Sequence, residues 1–255
     1  MSMGFGFPDF LGVGVQKGGT TTLQKMLEQH PDVFLPAVKE VHYFTFNYIK
    51  GKSWYQRQFE QASANQCCGE ITPYYIFHPQ APERIHALNP QVRLIVLLRD
   101  PVERALSHFF HCKRLGLESL ELEDALELES DRLNGAEEFL IADDSHHLSH
   151  QLYSYVSRSC YEHQLTRLNL FFKPQQVLVL RSEDLFDTPQ LVWDRVLLFL
   201  QLDYCPLPQL RQPANAGFGE SAGVLSSVRR SLREKLLPTY HWAEEKMNIV
   251  WENSD

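Results

Sequence analysis

Phe10-Leu11-Gly12-Val13-Gly14-Val15 runs straight into Gln16-Lys17-Gly18-Gly19-Thr20-Thr21-Thr22-Leu23, and the reading of this stretch decides the fold. The first six residues are an apolar run of strand length. Beyond the Gly/Thr cluster, Leu23, Met26, Leu27 and His30 recur at helical spacing. The pattern is strand, tight loop, helix. Glycines let a backbone close round an anion, consecutive N–H groups and a helix N-terminus offer partial positive charge, and threonine hydroxyls add donors. That combination makes a phosphate cradle. The Walker A order, G-x-x-x-x-G-K-[ST], puts lysine after the second glycine, whereas Lys17 here precedes Gly18-Gly19. An ATPase or small-molecule kinase is disfavoured by that order. A glycine turn holding no ligand is the bland alternative, and the strand-loop-helix setting weighs against it.

Outward from the loop, Pro31 ends the first helix, Val33 to Leu35 gives a short strand and Trp54 to Phe59 a short helix. Gly69 to Pro73 is a strand end and turn, and Pro82 to Leu88 a helix. Val92 to Leu98 is a continuous apolar strand of the kind buried on both faces of a parallel sheet. Asp100-Pro101 opens a helix that runs to Arg114. Tyr153 to Phe171 is amphipathic helix and Gln176 to Leu180 an apolar strand. Pro189 to Leu200 is a helix with Leu191, Val192, Val196, Leu197 and Leu200 turned inward. Strands alternating with helices in this way give an α/β protein with a central parallel sheet flanked by helices. Arg99 stands at the carboxyl end of a parallel strand, where open α/β sheets bind ligands, and its planar fork suits a phosphate. Ser107, about two turns into the next helix, is within reach of the same anion. Pairing of Arg99 with Asp100 or another carboxylate is an equal reading of this motif taken alone.

The 255 residues are 44% hydrophobic, 22% charged and 12% aromatic, an ordinary globular composition, and no apolar run reaches the ~18 residues of a membrane span. The N-terminus enters its first strand without a basic region, so no secretory signal is expected and the cytoplasm is the default compartment. Cys67, Cys68, Cys112, Cys160 and Cys205 are odd in number and irregularly spaced, which predicts reduced, partly buried thiols. The net charge of −8 is concentrated in Leu117 to His150, with eleven acidic residues against Arg132 alone. Nothing resembles the basic face of a nucleic-acid binder.

Taken together, Gln16 to Leu23 and Leu94 to Ser107 resemble the 5′-phosphosulfate loop and the 3′-phosphate site of sulfotransferases that use 3′-phosphoadenosine 5′-phosphosulfate (PAPS). The resemblance is closest to the heparan-sulfate type of Golgi carbohydrate sulfotransferase domain. Lys39-Glu40-Val41-His42-Tyr43-Phe44 is similar to its K-E-x-H-F-F segment, and Gly51-Lys52-Ser53-Trp54-Tyr55 to its K-G-x-x-W-Y. Glu70-Ile71-Thr72-Pro73-Tyr74-Tyr75 is similar to its E-K-T-P-x-Y, Tyr161 to the tyrosine of its G-x-Y helix, and Phe199-Leu200-Gln201-Leu202 to its F-L-G-L. The likeness spans nearly the whole chain and is weakest across 117–150 and after 205.

It implies a P-loop-NTPase-like three-layer sandwich, residues 1–255 as a single sulfotransferase domain, here in a soluble form without a membrane anchor. The implied reaction moves sulfonate from PAPS, in line, to a hydroxyl or amine of a carbohydrate or small-molecule acceptor. It releases adenosine 3′,5′-bisphosphate (PAP), and no metal is expected. By resemblance, Lys17 would contact the bridging oxygen and leaving phosphate, and Gly18, Gly19, Thr20, Thr21 and Thr22 would hold the 5′-phosphate and sulfonate. Arg99 and Ser107 would bind the 3′-phosphate, with Tyr161 also among the donor-binding residues. Glu40 is the candidate base, and His42 either orients the acceptor or is itself the base. In-line transfer asks for an oriented acceptor, charge stabilisation on the departing phosphate and a base within hydrogen-bond reach of the acceptor proton.

Several positions depart from the pattern. Ile71 stands where the heparan type has lysine, so one cation near the acceptor is missing and heparan sulfate itself is not the expected acceptor. Ser159-Cys160 replaces Gly-x before Tyr161, and Asn215 to Gly223 is the candidate C-terminal loop for the 3′-phosphate, with Arg229 and Arg230 as helpers. The acidic 117–150 segment is either a solvated helical face or a lid-like insertion whose charge would disfavour polyanionic sugars. His146, His147 and His150 include an i, i+4 pair but have no partner ligands in sequence, and are expected to be incidental surface histidines. The rival functions are a P-loop kinase using Mg-ATP, with Asp100 on the metal, and a non-catalytic nucleotide-binding protein.

Overall fold

The computed structural model describes residues 6–142, 146–209 and 220–251. In chain order its elements begin with β1 (Phe10–Gly14), α1 (Thr20–Leu27), β2 (Val33–Phe34), α2 (Gly51–Gln56), β3 (Cys67–Ile71), α3 (Ala81–Leu88), β4 (Arg93–Leu98) and α4 (Pro101–Arg114). The acidic segment contributes α5 (Leu122–Leu133), α6 (Ala136–Ala142) and α7 (Leu148–Leu152). Then come α8 (Tyr161–Asn169), β5 (Val177–Arg181), α9 (Asp184–Asp187), α10 (Pro189–Leu200) and α11 (Ser226–Met247). The strands form one parallel sheet in the order β2-β3-β1-β4-β5.

Alternation along the strands makes the three layers. Leu11 and Val13 of β1, Leu94, Val96 and Leu98 of β4, and Val177 and Val179 of β5 face a core shared with α3, α4, α8 and α11. Phe10, Ile95, Leu97, Leu178 and Leu180 face the opposite core, built with α1 and α10. Successive strand side chains point to opposite faces, so strands apolar on both faces become the covered middle layer. The order places β1 beside β4, with chain connections leaving in opposite directions. That is the switch point of an open α/β sheet, where ligands bind outside the strand carboxyl ends.

Most sequence-derived elements match within a residue or two, and three differ. The expected helix from Tyr153 to Phe171 begins only at Tyr161. Before it, Ser154, Tyr155, Arg158 and Ser159 are buried in a turn, where the Glu129 carboxylate accepts from the amides of Val156 and Ser157 at 2.7 and 2.8 Å in place of helical carbonyls. In α10, Leu191 is 63% exposed and Trp193 is wholly buried. The inward stripe is 192, 193, 196, 197 and 200, and Leu191 falls on its far side. The third difference is α11, which no sequence expectation covered. Val228, Leu232, Leu236, Tyr240 and Ala243 bury one face of it, and Pro238 sits inside an otherwise regular stripe. All five cysteines are free thiols. No helix among the described residues is long and apolar enough to cross a membrane.

Candidate active site

The β1–α1 loop closes tightly over β4. Gly18 donates its N–H to Val15 O at 3.0 Å, and a Cβ at position 18 would lie 2.5 Å from Leu97 O, so only glycine fits. Gly19, at φ 88, is the N-cap of α1 and supplies no side-chain acceptor. The first acceptor inside the helix serves Thr22 and Leu23, leaving the amides of Gly19, Thr20 and Thr21 without backbone partners among the described residues. Unpaired amides at a helix start are what an anion needs. Thr20 and Thr22 are buried, and Thr22 Oγ1 has no partner among the described residues. Thr21 Oγ1 accepts from Lys39 Nζ at 2.9 Å.

Lys17 holds a left-handed backbone at φ 70, a conformation uncommon outside glycine and frequent at functional sites. Burial pushes its ammonium down to about 8, and the nearby charges of Arg114 and Arg99 add to the shift. The chain is acidic overall, yet this point collects positive charge. Arg99, at the end of β4, donates from Nη1 to Lys17 O at 3.3 Å and lies 4.0 Å from Glu103. The loop and the strand end are thus one contact apart. Ser107 is half-buried on the α4 face that also carries Arg104, His108 and His111. Tyr161 is fully buried, and its hydroxyl donates to Arg99 O at 2.8 Å, which ties α8 to the backbone that carries the guanidinium. Arg229 of α11 pairs with Glu103, while Arg230 is exposed. Asn215 to Gly219 of the expected C-terminal loop lies outside the described residues.

Glu40 and His42 come together across 3.1 Å, Oε2 to Nε2. His42 turns at φ 53, with its N–H toward Thr72 Oγ1 at 3.4 Å and its carbonyl accepting from Asn47. Its Nδ1 meets Thr45 Oγ1 at 3.1 Å, and the ring stacks on Phe46. Lys39, one residue before Glu40, reaches Thr21, so this pair sits against the anion loop.

Below it, buried Glu70 accepts from Tyr55 (2.9 Å), Tyr75 (2.6 Å) and Thr72 (2.7 Å). Burial raises the Glu70 pKa, and the three hydroxyls oppose that rise. Three charge-assisted bonds to one carboxylate fix the end of β3. Ile71 points the other way, into the core against Gly12, so its replacement of lysine is matched by full burial.

Two residues of the site were not anticipated. Arg158 is buried with its guanidinium over Tyr74 and Phe77, and it donates to Gln16 Oε1 at 2.6 Å and to the carbonyls of His150 and Gln151. Burial lowers its pKa to about 10. Ser159 explains the departure from Gly-x: its hydroxyl donates to Pro101 O at 2.7 Å and accepts from buried Arg104 at 2.6 Å. Both residues lie where the periodicity had suggested plain helix, which hid their inward turn.

His150 is also not at the surface. It is buried, bonded to Tyr74 Oη at 2.7 Å, and burial lowers it to about 2. His146 is exposed and stacks on Phe46 at 4.2 Å, bringing the end of the acidic segment to the Glu40–His42 pair. Part of that segment's charge is paired, by Glu118 on Arg132 (2.5 Å) within it and by Glu137 on Arg167 (2.8 Å) and Glu129 on the 156–157 turn outside it. Among the described residues no group of three or more His, Cys, Asp or Glu is placed to hold a metal.

The chain resembles known sulfotransferases in sequence and in fold. A stretch of 105 residues, 40% of the chain, is 40% identical to the membrane-associated sulfotransferase kil1 of Dictyostelium discoideum, covering 22% of that protein. Over 103 residues the chain is 43% identical to human heparan sulfate glucosamine 3-O-sulfotransferase 6, covering 30% of it. The match therefore spans less than a third of either relative. In three dimensions, a sulfotransferase from Alicyclobacillus acidocaldarius superposes with a TM-score of 0.79 at 24% identity, covering 96% of this chain and 97% of that one. A mouse sulfotransferase complexed with PAP superposes at 0.52 and 18% identity, covering 90% and 84%. These neighbours share the P-loop-NTPase-like three-layer architecture described above. The family model of the sulfotransferase domain matches residues 7–209, from the strand before the anion loop to the segment after α10, and by that match the chain belongs to the sulfotransferase domain family.

Proposed function

We propose that the chain transfers sulfonate from PAPS to a hydroxyl or amine of a carbohydrate or small-molecule acceptor and releases PAP. The observation that carries this is the contact between the two anion sites, Arg99 Nη1 on Lys17 O, at the carboxyl ends of adjacent β1 and β4. A donor with phosphate on both the 3′ and 5′ sides of one ribose requires such a pair. Gly18 lets the loop pack directly on β4, and the amides of Gly19 to Thr21, with the unspent hydroxyl of Thr22, supply donors for the 5′-phosphate and sulfonate. Arg99 and Ser107 take the 3′-phosphate, and Tyr161 acts by holding Arg99.

In transfer, negative charge grows on the bridging oxygen as the sulfur–oxygen bond breaks, and Lys17 is the cation placed to receive it. Glu40 takes the acceptor proton, and His42, anchored by Thr45 and stacked on Phe46, holds the Glu40 carboxylate in place. The aromatic and histidine side chains of His42, Phe46, Tyr74 and His146 wall the acceptor side. We read residues 117–150 as a cap on that side and the chain as one functional domain, because α11 packs back onto α4 and α8 through Tyr240 and Thr239.

The test is PAP release from PAPS over a panel of phenols, sugars and amines. Glu40→Gln is expected to keep donor affinity and lower the transfer rate by about 10²–10⁴. An unchanged rate would remove Glu40 from the proton step, and no PAP release with any acceptor class would count against the activity.

A further inference from the structure

Tyr161, Tyr240 and Trp251 form one aromatic cluster, with Trp251 packed 5.9 Å from Tyr240 and 6.4 Å from Tyr161. Their three polar tips converge on one short piece of backbone and its buttress. Tyr161 Oη donates to Arg99 O at 2.8 Å and Tyr240 Oη to Asp100 Oδ2 at 2.7 Å. Trp251 Nε1 donates to Glu183 Oε2 at 2.9 Å, and the other oxygen of Glu183 accepts from the Asp100 amide at 3.0 Å. Asp100 Oδ1 meanwhile caps α4 through Glu103 N at 2.9 Å. The Arg99 carbonyl and the amide and both carboxylate oxygens of Asp100 are therefore held, while among the described residues the guanidinium is left with one 3.3 Å contact and a carboxylate 4.0 Å away. Packing a C-terminal helix needs apolar burial only. Sending a phenol and an indole N–H to two carboxylates beside one arginine fixes a direction.

We propose that α11 and Trp251 form a clamp in which Tyr240, through Asp100, and Trp251, through Glu183, are positioning residues that aim Arg99 at the 3′-phosphate of the donor. Both lie beyond residue 209, outside the stretch that the family model matches. The inference rests on the reading of Arg99 as the 3′-phosphate residue. Loosening the clamp leaves the arginine present but spreads its orientations, so the loss falls on ligands that carry a 3′-phosphate and spares those that do not.

The experiment is calorimetric titration of the full chain with PAP and with adenosine 5′-monophosphate, for wild type, Tyr240→Phe, Trp251→Phe and Arg99→Ala, with a melting temperature for each. Wild type is expected to prefer PAP. Tyr240→Phe and Trp251→Phe should each weaken PAP by about tenfold, with the monophosphate unchanged, as expected for loss of one bond to a charged group. Either change added to Arg99→Ala should cost PAP binding nothing more. Equal losses for both ligands, or a lowered melting temperature with the PAP preference intact, would overturn the clamp while leaving Arg99 in its site. A wild type indifferent to the 3′-phosphate would overturn both.

Discussion

Lys17 sits beside Arg114 and Arg99 in a half-buried loop, and desolvation with their charges lowers its ammonium to about 8. An anionic donor reverses that balance by favouring the charged form, so binding and protonation are linked. Affinity for PAP is then full below about pH 8 and falls as pH rises past it, because the free protein loses the proton that the complex needs. Titration from pH 6.5 to 9.5 should show this break. Lys17→Arg should bind PAP without it, since guanidinium stays charged throughout. A break that persists in Lys17→Arg would assign the proton elsewhere. The strand-loop-helix setting of the loop was legible because its glycines and threonines stand between an apolar run of strand length and residues at helical spacing. Arg158 was not: a buried charge is visible only through its partners, and Gln16 is 142 residues from Arg158 in the chain.

At the scale of elements, the phosphate loop depends on close approach to β4. In Gly18→Ala the new Cβ would lie 2.5 Å from Leu97 O, a backbone atom that cannot move without disturbing the strand. Overpacking of this kind costs about 1–3 kcal/mol, so the denaturant midpoint should fall and PAP binding should fall with it. Unchanged binding would show that the loop tolerates displacement. The acidic segment offers a separate test. Glu129 accepts from two amides and the Ser157 hydroxyl, and Glu129→Gln should lose about 1–3 kcal/mol locally. Hydrogen exchange should quicken at 153–157 and in α5 while β1 and β4 stay protected.

These elements also show where reading a sequence works. The strands β1, β4 and β5 were plain because each is an apolar run of strand length bounded by turn residues, and β1 and β4 are buried on both faces. The break before Tyr161 was hidden because Glu129, distant in sequence, replaces the helical acceptors. The helix α11 was hidden by Pro238, although its stripe from Val228 to Ala243 is regular.

Over the whole molecule, charge is sorted. The chain carries −8, yet Lys17, Arg99, Arg104 and Arg158 gather around the carboxyl ends of β1 and β4, while in 117–150 Glu118 is taken up by Arg132 and Glu137 by Arg167 of α8. An acidic protein can thus present a cationic focus, and on the proposed acceptor side His42, Phe46 and His146 stack in series. The sheet order places the two proposed anion sites on neighbouring strands, whichever acceptor the loops select. The most direct measurement is a thermal-shift titration with PAP beside adenosine 5′-monophosphate and Mg-ATP, because a ligand bound only by the folded state raises the melting temperature by mass action. The account predicts stabilisation by PAP at concentrations where the other two have little effect; stabilisation by Mg-ATP alone would contradict it and return the glycine loop to a kinase.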